Sequence, residues 1–138
     1  MKLKEKHLDN YKIFYKNEKE LDLIYKNIFK VGDYKFFSKR KSPFIMDCGS
    51  HIGISILYFK YLYPNSKILG FEPDPDNFEI LKKNIKANGL KKIALINKAL
   101  SDTTGRKPFY TNKYWSWGGS LISSRKNSHR VYVRTDKL

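Results

Sequence analysis

The chain has 138 residues, 41% of them hydrophobic and 15% aromatic, with a formal net charge of +15. That is enough chain for one packed core and not two, and it excludes a disordered or fibrous protein. The single cysteine, Cys48, excludes an intramolecular disulfide, and no uninterrupted apolar run reaches membrane-spanning length.

The N-terminus, MKLKEKHLDN, is charged from its second residue and lacks the apolar stretch of a signal peptide. With the lone cysteine, this gives the expectation of a soluble, cytoplasmic protein. Leu8, Tyr11 and Tyr15, then Leu21, Ile24 and Ile28, recur at three- and four-residue steps, predicting one or two amphipathic helices before residue 30. YKFF, residues 34–37, reads as a short strand, and SKRKSP, residues 38–43, as a polar turn closed by Pro43. Residues 1–41 are therefore expected to be a helical lead-in with one short strand, ahead of a second unit over residues 42–138.

From residue 44 the order becomes regular. FIM is a short buried strand, and Ile52 to Tyr63 is a helical run ended by Pro64 and Asn65. KILGF, residues 67–71, is a second strand. The next helix carries its own punctuation: Asp74 as N-cap, Pro75 at the first helical position, Gly89 at the C-terminal cap. Phe78, Leu81 and Ile85 would form its buried stripe. KIALINKAL, residues 92–100, is a third strand. Strand, helix, strand, helix, strand with short connections is the βαβαβ half of a doubly wound α/β sheet, with parallel strands. After it come a turn at Gly105 into a strand, a turn at Trp117-Gly118-Gly119 and an extended VYVRT, which read as antiparallel hairpin additions.

Lys and Arg number 28 against 13 Asp and Glu, which raises nucleic acid or an anionic membrane as partner. The basic residues are mostly single lysines scattered among Asn, Ile and Tyr, and the central segment is the least basic. Dispersed charge gives weak steering, so a solvated lysine-rich surface is favoured over a nucleic-acid footprint.

Ligands of open α/β sheets sit beyond the carboxyl ends of the strands. FIMDCGSHIG, residues 44–53, puts Asp47 and Gly49 at the end of the first strand, and Glu72 ends the second. Gly49 offers φ values closed to other residues and, lacking a Cβ, close backbone approach to a ligand. Gly53 lets the first helix pack tightly on the sheet. Glu72 follows about 20 positions later, the separation of the acid that accepts both hydroxyls of a ribose. A dinucleotide would call for G-x-G-x-x-G against a pyrophosphate, whereas this spacing is G-x-x-x-G with a carboxylate before it. A carboxylate there repels a phosphate but suits a ligand with an amino group and a nucleoside, which points to S-adenosylmethionine and away from a nicotinamide dehydrogenase.

DCGSHIGISILYFKYLYP, GFEPDPDNFEILKKNIKANGL and INKALSDTTGRKPFY resemble, in order and spacing, the FkbM-type S-adenosylmethionine-dependent methyltransferases. The likeness covers roughly residues 25–138, with IYKNIFKVGDYKF as the lead-in. It implies a Rossmann-like class I methyltransferase fold and methyl transfer to an acceptor that is often a hydroxyl on a glycan or small metabolite. It further implies that Asp47, Gly49, Ser50, His51 and Gly53 line the methionine and ribose side of the cofactor. Glu72 would hold the ribose hydroxyls, Pro73 and Asp74 would lie beside the adenine, and Asn97 to Ala99 would close its pocket.

Two departures stand out. The His51 position is glycine in many class I methyltransferases and commonly Asn in this family. Its side chain could orient the cofactor carboxylate or act as a base, but a loop histidine capping the next helix is the favoured reading. The family's K-x-D-x-E-G motif on the fourth core strand is absent. The expectation is a partial domain truncated before that strand, with FIMD left as an unpaired edge that a second copy or a complementing chain covers. Trp115 and Trp117 read equally well as a sugar platform or as a hairpin staple. A non-catalytic cofactor-binding or interaction module, or half of a split enzyme, is the rival reading. A nucleic-acid methyltransferase is disfavoured, since no Asn/Asp-Pro-Pro-aromatic loop occurs.

Overall fold

The computed structural model describes residues 2–112, 115–122 and 128–138. It opens on a hairpin of β1 (Lys4–Leu8) and β2 (Tyr11–Tyr15), antiparallel with Lys4 opposite Tyr15 and Leu8 opposite Tyr11. The helix expected over these residues does not form. Ile13 and Tyr15 are buried at a two-residue step beside lysines 12 and 16, a strand pattern, and the Leu8–Tyr11 spacing is the turn, where Asp9 takes φ 49°. The helical expectation holds only for the second cluster. There α1 (Glu18–Tyr25) is capped by the Asn17 side chain and runs into a π-helical turn over Lys26–Val31, ended by Gly32 at φ 84°. No strand forms at residues 34–37. The rings of Tyr34 and Phe36 instead lie against Phe59, and Phe36 also meets Tyr63.

The centre follows the expected alternation. Strands β3 (Phe44–Asp47), β4 (Lys67–Phe71) and β5 (Ile93–Ile96) form a parallel sheet in the order β3-β4-β5. They are linked by α2 (Ile54–Leu62) and α3 (Pro75–Ala87). Among the described residues β3 pairs only with β4. It is therefore not the buried strand expected from FIM: Phe44 and Met46 are 62% and 40% exposed. Helix α2 begins after Gly53, whose φ of 97° makes it the N-cap, and is buried from Ile54 through Lys60. The buried face of α3 is Asn77, Ile80, Leu81, Asn84 and Ile85, with Phe78 only half-buried at its margin.

KIALINKAL is not one strand. It breaks at Asn97–Lys98, and the chain re-enters a second sheet as β6 (Ala99–Ser101). The Asn97 amide donates to the carbonyls of Glu72 (2.8 Å) and Pro73 (3.2 Å), which turns the chain away from β4. Strand β7 (Gly105–Thr111) and β8 (His129–Lys137) complete that sheet in the order β6-β8-β7, with β7 antiparallel and β6 parallel to β8. The main core unites Ile13, Leu21 and Ile24 of the lead-in with Ile56, Leu57, Ile68 and Leu81, so the hairpin and α1 share one core with the sheet. A smaller cluster of Ala99, Phe109 and Val133 sits under the second sheet.

Candidate functional site

The parallel strands end where the two motif loops meet. Ser50 N–H donates to Phe71 O (2.8 Å), clipping the first loop to the tip of β4. Glu72 follows, 5% exposed, and each carboxylate oxygen accepts one backbone N–H: Oε2 from His51 (2.7 Å) and Oε1 from Asp74 (2.9 Å). Burial pushes its carboxyl up to about 7, aided by the nearby carboxylates of Asp74 and Asp47 and opposed by the two N–H donors. Each oxygen retains lone pairs for a further donor.

In front of Glu72 opens a cleft of about 440 Å³ lined by Cys48, Gly49, His51, Glu72, Pro73 and Ala99, with Leu100, Phe109 and residues 116–122 opposite. Gly49, His51, Glu72, Pro73 and Ala99 thus converge on one cavity. The other candidates do not line it. Asp47 is buried and accepts from Ser55 Oγ (2.6 Å), and burial raises its pKa. Ser50 Oγ donates to Asp47 O (3.4 Å). The Asp74 carboxylate caps α3, accepting from the N–H groups of Asp76 (2.9 Å) and Asn77 (3.1 Å). Asn97 holds the Glu72–Pro73 backbone, as described above.

The glycines act differently from expectation. Gly49 is not among the positive-φ residues, so its backbone does not demand glycine, but a Cβ there would meet open space facing the cleft. Gly53 is required: it has positive φ, and a Cβ would come within 2.7 Å of Leu81 Cδ1. Its role is close approach of α2 to α3, not to the sheet.

His51 does not cap α2, because Gly53 occupies that position. The loop turns through φ 48° at His51, and its ring goes inward, Nε2 lying 2.8 Å from Ser116 Oγ. Burial lowers its pKa to about 4, so the ring is neutral. Beyond Ser116 stands Glu20 of α1, 6% exposed and with its pKa raised by burial, accepting from Trp117 N–H and 3.9 Å from His51 Nε2. Glu20, Asn77 and Ser116 escaped the sequence reading. The available signal was an acid at Glu20 one turn before Ile24, on the face that is otherwise apolar. Trp117 packs against the main core while lining the cleft, and Trp115 N–H donates to Asn112 O (3.2 Å).

No family model matches the chain. Over 109 residues it is 34% identical to methyltransferase sdnD of Sordaria araneosa, covering 78% of this chain and 42% of that protein. The chain therefore spans less than half the length of that curated relative. TYW2 of M. jannaschii, solved in complex with AdoMet, shares the fold at a TM-score of 0.51 and 14% identity, over 68% of this chain and 42% of that one. Methyltransferase FkbM from Methylobacillus flagellatus KT aligns at a TM-score of 0.48 and 22% identity, over 59% of this chain and 23% of that one. The chain resembles FkbM-type methyltransferases. Its parallel sheet with flanking helices is part of a Rossmann-like fold. Among the described residues no helix is long and apolar enough to cross a membrane, and no cluster of His, Cys, Asp or Glu is arranged to hold a metal.

Proposed function

We propose that the chain is the S-adenosylmethionine-binding part of a methyltransferase whose acceptor is a hydroxyl on a glycan or small metabolite. The observation that carries this is Glu72: a buried carboxylate fixed by two backbone N–H groups, with spare lone pairs at the mouth of a nucleoside-sized cleft. A ribose diol supplies the two donors such a carboxylate lacks. Open space beside Gly49 admits the cofactor close to the backbone, and Pro73, Ala99 and Leu100 offer an apolar wall to the adenine. When bound, the cofactor supplies an electrophilic sulfonium methyl. The contribution of these residues is to hold it in place and in line with the acceptor. The methyltransferase relative, the fold shared with an AdoMet complex and the exposed free thiol of Cys48, which suits the cytoplasm, support the reading.

Titration of S-adenosylhomocysteine into the purified chain, beside Glu72→Ala, tests it. Saturable binding to the wild type, weakened about 100-fold or more by loss of two charge-assisted hydrogen bonds, is the expected result. A folded wild type without saturable binding sinks the cofactor assignment for this chain. Binding without turnover on any hydroxyl acceptor would favour the interaction-module reading.

A further inference from the structure

Some of the bases scattered along the sequence gather at one end of the fold, the end of the parallel sheet opposite the cleft. Asp47, Glu72, Asp74 and Asp76 all sit at or just beyond the carboxyl ends of β3 and β4. No acid occurs between Asp33 and Asp47, between Asp47 and Glu72, or between Glu79 and Asp102. Those acid-free stretches supply the segments that enter β3, β4 and β5 from the other end. They place there Lys39, Arg40 and Lys41, then Lys67 at the start of β4, and Lys91 and Lys92 just ahead of β5, all exposed. The three strand starts are adjacent: Lys67 N–H donates to Pro43 O (2.9 Å) and Ile68 N–H to Lys92 O (3.0 Å). Charge of one sign gathered on one face attracts an anionic surface.

Among these bases the chain holds out a phenylalanine. Phe37 is 85% exposed. Single exposed apolar side chains are ordinary, but this one is fixed in place. The hydroxyl of Tyr63, the residue after α2, donates to Phe36 O (3.3 Å) and accepts from Ser38 N–H (2.8 Å), so the residues on both sides of Phe37 are clamped. Ser38 Oγ accepts from Arg40 N–H (3.0 Å), and the Phe36 ring lies against Phe59 and Tyr63. With its neighbours tied to α2, Phe37 stands in solvent, with exposed Lys35 before it and Lys39, Arg40 and Lys41 after it.

An apolar tip held among bases fits the interface of a bilayer. The ring enters the acyl boundary while the cations meet anionic head groups. Nucleic acid shares the charge requirement but not the shape. A single strand calls for a groove with successive stacking rings, and a duplex for a helix or β-ribbon in its groove. This end of the fold is an irregular loop beside three strand starts.

We propose that the loop of residues 36–41, with Lys67, Lys91 and Lys92 beside it, docks the chain on an anionic lipid bilayer, Phe37 entering the head-group boundary. The inference is independent of the cofactor reading. Docked this way, the carboxyl ends of β3, β4 and β5 point away from the lipid, and the cleft opens to water.

Flotation of the purified chain with vesicles tests this, because self-associated protein without lipid does not float. One set of vesicles is phosphatidylcholine alone, and the other is equal parts phosphatidylcholine and phosphatidylserine. The wild type should float only with the second. Lys39→Ala and Arg40→Ala should each weaken binding about fivefold. Phe37→Ser should weaken it about tenfold or more. All three side chains are exposed, so the variants should melt at the wild-type temperature. Phe44→Lys adds a base at the β3 edge and should bind at least as well as the wild type. A wild type that floats with neither vesicle, or equally with both, overturns the proposal, as does a Phe37→Ser variant that binds like the wild type. Loss of flotation in Phe44→Lys would move the lipid contact to the β3 edge and overturn it too. Binding of polyuridylate that depends on Phe37, in a chain that does not float, would assign the loop to nucleic acid instead.

Discussion

At the scale of single residues, Glu72 carries the clearest consequence. Its carboxyl is held near 7 in the folded chain, mainly by burial, against an ordinary value of 4.5. Between those values the folded state keeps a proton that the unfolded state has lost. The stability contributed by Glu72 is complete below about 4.5 and is lost as pH rises through 7, a difference of roughly 3 kcal/mol. Subtracting the urea-unfolding free energy of Glu72→Gln from that of the wild type should give a curve falling across this window; a flat difference would contradict the burial of the charge. Ribose hydroxyls are donors and favour the ionised carboxylate. Affinity for S-adenosylhomocysteine should therefore rise between pH 6 and 8 and level off above it. Glu72 was legible in the sequence because its role depends on a strand end and a spacing. Glu20 and Ser116 were not, because their meeting with His51 depends on how three distant segments fold over one another.

At the scale of elements, the hairpin explains why the N-terminal reading failed. Helix α3 offers Asn84 and Asn88 to the edge of β2. Asn84 accepts from Phe14 N–H (2.7 Å) and donates to Phe14 O (3.1 Å), and Asn88 does the same for Lys12 at 3.0 and 2.9 Å. Four residues of helix rise about 6 Å and two of strand about 6.6 Å, so the two amides match alternate residues of the strand and stand in for a neighbouring strand. Local periodicity at Leu8, Tyr11 and Tyr15 could not reveal partners some 70 positions away. Helix α3 itself was legible because Asp74 and Pro75 start it and Gly89 stops it by local chemistry. Asn84 is fully buried and its amide also donates to Ile52 O (2.8 Å), next to the cofactor loop. Asn84→Ala strands a backbone N–H and two carbonyls and should cost about 2–4 kcal/mol in denaturant unfolding, with earlier exchange of the β2 amides. Asn88→Ala, half-buried at the end of the helix, should cost less. Equal losses would mean that the clamp is not centred on Asn84.

At the scale of the whole molecule, two surface properties oppose each other. Strand β3 has one free edge among the described residues, and beside it Tyr34, Phe36, Phe44, Ile45, Met46 and Phe59 line an apolar recess of about 430 Å³. Unpaired apolar edges recruit other chains. A net charge of +15 holds copies apart, and that repulsion reaches about 10 Å at 0.1 M salt but about 3 Å at 1 M. Self-association should therefore increase with salt, as sedimentation or light scattering across that range would show. Phe44→Lys places a charge at the exposed start of the edge and should abolish the increase without disturbing the cleft, which lies at the other end of the strand. A nucleic-acid footprint predicts the reverse salt trend, with binding to RNA or DNA falling steeply as counterions compete. The dispersed lysines favour the first behaviour. Association that falls with salt, or that ignores Phe44→Lys, would move the adhesive surface away from β3 and leave that edge capped by something other than a second copy.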